Sequence, residues 1–350
     1  MVMIGVDAHK RTHTLVAVDE IGRKLAERTV QATSDGHLAA LQWAGQWTAV
    51  SFAVEDCRHM TRRLEQDLLR AGLPVVRVHT RFMATARRAG RQPGKSDPID
   101  ALAAAHAALR EPDLPVAMLD GPARQVKLLS DYRHDLVTER TKVINRLRWH
   151  LHELDPELTI PPRGLRSYRT MDAVAHRLNS FEGTVARIAG DLLDRCQELT
   201  RQVNQLEREL RDLVQALAPS LLEVPGCGVL SAAALIGETA TASRFRSKDA
   251  YARFTGTAPI PVWSGNTTKV RLNRGGNRIL NNALHTIAVT QTRSNGPGKD
   301  YYDKLTARGK TRKEALRLLR RRLSDVVFRA LLTDERARAQ PAPAALQAAA

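Results

Sequence analysis

The sequence predicts an α/β domain followed by a mainly helical remainder. Short apolar segments of strand length alternate with helical patterns as far as Asp113-Leu114-Pro115, and past that point the strands stop. A leucine stripe at heptad spacing then runs from Leu192 to Leu217, too long for a loop-rich fold. With 350 residues the chain can hold two or three domains and a sizeable core. We expect 1–118 as the α/β domain, 119–218 as a helical, coiled-coil spacer that oligomerises, 219–333 as a C-terminal domain and 334–350 as a disordered tail.

Val2 to Asp7 reads as a buried strand ending on Asp7. Thr12 to Val18 and Lys24 to Val30 alternate as strands around Asp19-Glu20-Ile21-Gly22-Arg23, whose Asp and Gly favour a hairpin turn. Asp35 to Ala44 is helical in pattern, and Ala49 to Val54 is a second buried strand, with Glu55 at its end. Met60 to Ala71 carries Leu64, Leu68 and Leu69 at helical spacing, Leu73 to Val78 is strand-like, and a basic segment follows from Arg81 to Arg91. Lys95-Ser96-Asp97-Pro98-Ile99-Asp100-Ala101 then opens an alanine-rich helix. Asp97 suits the cap, Pro98 the first helical position, and Asp97 and Asp100 share one face of the first turn.

In the second half, Val126 to Leu154 has an intermittent apolar stripe interleaved with Arg133, Arg140, Lys142, Arg146 and Arg148, so one face can pack while the other meets phosphate. Pro156, Pro161 and Pro162 break it, and a looser stretch runs from Ser167 to Ser180. The heptad positions Leu192, Cys196, Leu199, Val203, Leu206, Leu210, Leu213 and Leu217 fit either an intramolecular helical hairpin or an intermolecular coiled coil. Pro219 ends that helix. Pro225-Gly226-Cys227-Gly228 fits a DNA-contacting hairpin between helices, with Gly226 and Gly228 exposing amides to phosphate, or a plain tight turn. Phe245 to Gly256, Pro259 to Asn266 and a basic passage with Lys269, Arg271, Arg274 and Arg278 lead into a helix from Ile279 to Val289. Between Lys299 and Arg322 there are ten Lys or Arg residues and three acids. There Lys310, Arg312, Lys313, Arg317, Arg320 and Arg321 accompany an apolar face of Leu316, Leu319 and Leu323.

The net charge of +17 makes a polyanion the expected partner, with nucleic acid foremost, although an architectural protein would share that charge. Cys57, Cys196 and Cys227 are too scattered for a disulfide scaffold or zinc module. With no signal-peptide pattern and no apolar run of membrane length, a cytoplasmic setting is expected.

The candidate chemistry is acidic. Asp7, Glu55, Asp97 and Asp100 would repel one another at one sheet edge unless cations neutralised them, and Mg²⁺ or Mn²⁺ suits such oxygen ligands. Each acid alone also reads as an ordinary turn, surface or capping residue. Lys10, His9 and His13 could touch phosphate or orient the site. Ser264, in a glycine-flanked loop near many cations, has no local base and taken alone reads as a turn serine.

In this order the motifs resemble the bacterial insertion-sequence transposases of the family numbered one hundred and ten. The Gly-Val-Asp strand end at Asp7, the second strand end at Glu55, the Lys-x-Asp-x-x-Asp-Ala segment at Asp97 and Asp100, the Pro225 to Gly228 hairpin, Ser264-Gly265 and Gly276-Asn277 carry the resemblance. It implies a RuvC-like, ribonuclease-H-type N-terminal domain with an Asp-Glu-Asp-Asp tetrad holding Mg²⁺, and a serine-bearing transposase domain. The implied function is RNA-guided DNA recombination through a transient serine–DNA link at Ser264, with donor and target DNA and a bridge RNA as partners. Dimers assembling to a tetramer, and nucleoid association when DNA is bound, are further implications. Glu55-Asp56-Cys57 departs from the usual continuation, which leaves Asp56 as an alternative second acid. A resolvase-like, metal-dependent, structure-selective endonuclease using water is the main enzymatic alternative; a non-catalytic nucleic-acid-binding assembly protein is the other.

Overall fold

A computed structural model describes residues 1–55, 58–89, 96–111, 114–264, 267–271, 273 and 275–339. Two compact units make up the chain, Met1–Asp120 and Gly121–Ala350.

The first unit is built on a five-stranded sheet of β1 (Val2–Ala8), β2 (Thr12–Val18), β3 (Lys24–Gln31), β4 (Val50–Glu55) and β5 (Val75–Val78), in the order β3-β2-β1-β4-β5. β1, β2 and β3 run antiparallel, whereas β4 and β5 run parallel to β1. The turn after β1 and the Asp19 turn allow the antiparallel meander, since Asp19 Oδ1 accepts from the amides of Ile21 and Arg23. The parallel strands need crossovers, supplied by α1 (Ser34–Ala44) and α2 (Arg58–Arg70). This mixed meander-plus-parallel sheet agrees with the α/β first domain expected from the sequence. The segment that reads as merely basic after β5 forms α3 (Thr80–Ala89), and α4 (Asp97–Arg110) follows.

β1 is apolar almost throughout because both of its faces are covered. Ile4 and Val6 pack on one side with Leu15, Phe52, Val54 and Leu64, while Met3 packs on the other with Val16, Ala53 and the alanines of α4. Ala101, Ala104 and Ala105 leave α4 without bulk on that side, so its backbone lies directly on β1. Gly5 is the point of contact: a β-carbon there would stand 1.9 Å from the Ala101 carbonyl oxygen and 2.7 Å from the Ala105 amide nitrogen. The helix that carries Asp97 and Asp100 is therefore fixed against the strand that carries Asp7.

The second unit comprises α5 (Pro122–Leu154), α6 (Tyr168–Leu178), α7 (Thr184–Leu217), α8 (Pro219–Leu222), α9 (Val229–Thr239), α10 (Lys248–Phe254), a hairpin of β6 (Ile260–Ser264) and β7 (Thr267–Arg271), α11 (Arg278–Arg293), α12 (Pro297–Ala307) and α13 (Arg312–Ala339). The heptad stripe of α7 packs along α5 of the same chain, with Leu136, Val143 and Leu147 meeting Leu199, Val203 and Leu206 in one cluster. Buried positions of α7 run from Ala186 and Ala189 through Leu193 to Val214 and Leu217, with the heptad residues Leu192 and Leu213 only partly covered. A straight helix drifts by about 20° per heptad, so a seven-residue repeat walks off the contact at its ends.

The stretch expected to be loose at 167–180 contains α6, which closes this core with Met171 and Val174. Strands do not stop altogether in the second half, because β6 and β7 pair antiparallel from Ile260–Arg271 to Ser264–Thr267. The basic C-terminal stretch splits at Gly309 into α12 and α13. Residues 340–350 of the expected tail lie outside the described residues. Among the described residues no helix is long and apolar enough to cross a membrane.

Candidate metal centre

Asp7 ends the α4-facing side of β1. Parallel register pairs Val6 with Val54, so the next residues, Asp7 and Glu55, stand level at the C-terminal edges of neighbouring strands. His9 keeps the extended alternation, its amide donating to the Thr12 carbonyl at 2.9 Å, and so returns to the same face as Asp7. At the mouth of α4 the capping residue is Ser96, not Asp97 as expected. Asp97 is the first helical residue, and the Ser96 side chain makes no cap bond. Both acids nevertheless lie in the first turn, where the exposed N–H ends favour negative charge.

Three of these side chains converge. His9 Nε2 lies 3.1 Å from Asp7 Oδ2 and 3.4 Å from Asp97 Oδ1. Ligand atoms of Asp7, His9 and Asp97 all fall within 4.8 Å of one another. The Asp7 side chain is 8% exposed, whereas those of His9 and Asp97 are about half exposed, so the group opens outward from a buried anchor. Burial raises Asp7 above the ordinary carboxylate pKa; His9 opposes the rise, and the charges of Asp100 and Asp97 add to it.

The other two predicted acids stand beside this group. Asp100 is buried and accepts from Arg87 Nη1 at 2.5 Å, and Glu55 Oε1 accepts from the Thr80 hydroxyl at 3.3 Å. Asp56 and Lys95 lie outside the described residues. His9, which the sequence offers only as a phosphate contact or an orienting residue, stands here among the atoms that could hold a metal, and its signal was the Asp-x-His spacing at a strand end. Arg87 was unremarkable inside a basic run. His13 faces the opposite side of the sheet, buried and stacked on His37 at 5.4 Å, and takes no part.

A crowded, partly desolvated set of carboxylates with an imidazole fits a hard divalent cation: Mg²⁺ through the oxygens, Mn²⁺ through both donor types. The fit rests on the geometry, three ligand atoms within 4.8 Å of one another around a buried Asp7; burial, the main cause of the raised Asp7 pKa, means that its charged form gains from a cation.

The predicted nucleic-acid contacts sort by burial. Lys10, Arg146, Arg271, Arg278, Lys310, Arg312, Lys313 and Arg317 are exposed. Arg133 pairs with Glu207, and Arg140 is buried and donates to the Thr200 hydroxyl at 3.3 Å. Those two guanidiniums are committed to the α5–α7 contact, not to a solvent-facing stripe, because the helix face that carries them turns inward. Arg148 donates to the Pro161 carbonyl, Arg320 to Asn281, and Arg321 pairs with Asp249 and Asp325. Gly226, at φ 79°, packs against Thr290 of α11, while Gly228 caps α9 with open space around it. Arg274 and the side chains of Lys269 and Ser264 lie outside the described residues.

Two family models match the chain: DEDD_Tnp_IS110, described as a transposase, over residues 4–156, and Transposase_20, described as the transposase IS116/IS110/IS902 family, over residues 218–303. The 44.8 kDa protein of insertion element IS116 from Streptomyces clavuligerus is 28% identical, with 99% of this chain and 98% of that protein covered. The 43.6 kDa protein of insertion element IS110 from Streptomyces coelicolor is 25% identical, covering 95% of this chain and 94% of its own length. Among solved structures, RuvC of T. thermophilus in complex with a Holliday junction substrate aligns at 17% identity over 33% of this chain and 99% of its own, with a TM-score of 0.27.

These findings correct the expected serine chemistry. The model matched to the first unit is named for its acids, and a cluster able to hold a metal ion, Asp7, His9 and Asp97, is assembled within that unit. What they support is metal-dependent chemistry at the acids of the first unit; none of them supports RNA-guided recombination through a serine–DNA intermediate.

Proposed function

The chain belongs to the IS110/IS116 family of insertion-sequence transposases and is an enzyme that acts on DNA; from that premise we propose that its first unit cleaves phosphodiester bonds at a divalent-metal centre. Asp7, Asp97 and His9 are the proposed ligands, with Asp100 and Glu55 as flanking acids. A bound cation would supply Lewis-acid polarisation of a phosphoryl oxygen and a more acidic water as nucleophile. The chain's own residues provide position. Asp7 is held rigidly by a strand covered on both faces, and Asp97 by the first turn of a helix resting on that strand. Arg87 holds Asp100 in place, and Thr80 orients Glu55, which can accept a proton from the attacking water at the sheet edge. Exposed Lys10, one residue past His9, can meet a neighbouring phosphate.

The observation that carries this reading is the approach of the Asp7, His9 and Asp97 donor atoms within 4.8 Å. Its test is cleavage of a labelled four-way DNA junction and a linear duplex in Mg²⁺. Asp7→Asn and Asp97→Asn should each lower the cleavage rate by at least a hundredfold without altering DNA binding, and wild-type rates in both variants would defeat the proposal.

We further propose donor and target DNA as partners, which the charge of +17 supports, and, from the family resemblance alone, a bound bridge RNA, dimers assembling to a tetramer and a cytoplasmic setting. RNA recovered with the purified protein, and its mass by light scattering, test those two points.

A further inference from the structure

The second unit contains a cleft of about 320 Å³ between α11 and α13. From α11 it is lined by Arg278, Asn281 and His285, one helical face spaced three and four apart; from α13 by Lys313, Arg317 and Arg320 in the same rhythm. No carboxylate is among the lining residues. Arg321, next along α13, shows the contrast, because its guanidinium is paired with Asp249 and Asp325. Arg278, Lys313 and Arg317 make no hydrogen bond or ion pair among the described residues.

The floor of the cleft is fixed but unsatisfied. Arg320 Nη1 donates to Asn281 Oδ1 at 2.9 Å, which sets the plane of the guanidinium. Its Nε and the Nδ1 of His285 are buried without a hydrogen-bond partner among the described residues. A buried donor left unpaired costs about 1–3 kcal/mol, more when charged, so its persistence at a cationic cleft calls for an acceptor. Burial lowers the pKa of Arg320, with Arg317 adding to the effect, and burial followed by Arg320 lowers that of His285. The cations are crowded here, and among the described residues no carboxylate lines the cleft.

We propose that the α11–α13 cleft is a phosphate site that holds a backbone phosphodiester of a polynucleotide, with Arg320 donating from below and Arg278, Lys313 and Arg317 closing around it. A planar guanidinium fixed by Asn281 presents paired donors to two phosphate oxygens, and the flexible cations at the rim add charge. Exposed Lys310 and Arg312 continue the positive charge beyond the cleft, which suits a polymer over an isolated anion. The site lies wholly in the second unit and does not depend on the acidic centre of the first.

The test is binding of labelled oligonucleotides to the full chain in chelator, so that no metal-dependent cleavage contributes. Single-stranded DNA, RNA of the same sequence and inorganic phosphate as competitor form separate arms, each read against salt. The double variant Lys313→Gln/Arg317→Gln removes two exposed charges and should weaken oligonucleotide binding about tenfold. It should also lower the slope of log affinity against log salt by about one per lost phosphate contact. Arg208→Gln/Arg211→Gln, which removes two exposed charges from α7, should change affinity less than twofold. Loss in both polymer arms supports a shared backbone contact, and loss in one identifies the occupant. Wild-type binding by the cleft variant, equal losses in the two double variants, or competition by inorganic phosphate with no polymer effect would each overturn the proposal.

Discussion

Replacing Gly5 by alanine should dismantle the metal centre without touching any ligand. The added β-carbon would lie 1.9 Å from the Ala101 carbonyl oxygen, against an ordinary C···O approach of about 3.3 Å, so α4 must withdraw by about 1.4 Å. Both contacting atoms are backbone, so no side-chain rotation relieves the clash. Overpacking of this kind costs about 1–3 kcal/mol, and the larger value applies because a whole helix has to shift. The same movement carries Asp97 away from Asp7 and His9. Ligand geometry tolerates about 0.5 Å, so Mn²⁺ affinity should fall at least tenfold. Calorimetric titration with Mn²⁺ and thermal melts of the full chain measure both effects. Gly190→Ala on α7, with open space around it, serves as control and should hold or raise stability. A Gly5→Ala protein with wild-type melting and wild-type Mn²⁺ affinity would refute the claim that strand and helix set the site together.

Three further outcomes follow from the same structure. Removing one charge by Asp97→Asn should relax Asp7 toward an ordinary carboxylate, so metal-free stability holds or rises while the thermal shift produced by Mn²⁺ disappears, as read by melts with and without the ion. His13 is pushed down to about 4 by burial and then by His37, so the unfolded chain binds its proton first; its contribution is complete above pH 6.5 and lost as pH falls to 4. That window is worth roughly 3 kcal/mol, seen as a smaller acid loss of unfolding free energy for His13→Gln than for wild type. Leu199→Ala, fully buried between α5 and α7, should cost about 2–5 kcal/mol in denaturant unfolding.

Much of the first unit was legible because each strand announces itself by an apolar run and a turn. Asp7 and Glu55 stand at strand ends for the same reason. The sequence could not show that Ser96 takes the capping position, because Ser and Asp are both good caps and Pro98 suits either of the first two helical positions. Arg140 reads as a solvent-facing cation, yet a long guanidinium can turn into a helix contact where Thr200 offers an oxygen. The partner of the heptad stripe was equally open, since spacing records a face and not what covers it. α6 was missed because its apolar residues are few, and their burial is decided by α5 and α7.

The most direct measurement is a Mn²⁺ titration followed twice on the same protein, by calorimetry and by single-turnover cleavage of labelled DNA. The account predicts that the two curves share a midpoint in wild type and that Asp7→Asn and Asp97→Asn lose both together. Cleavage that proceeds without the metal, or that survives in either variant after binding is lost, would contradict it.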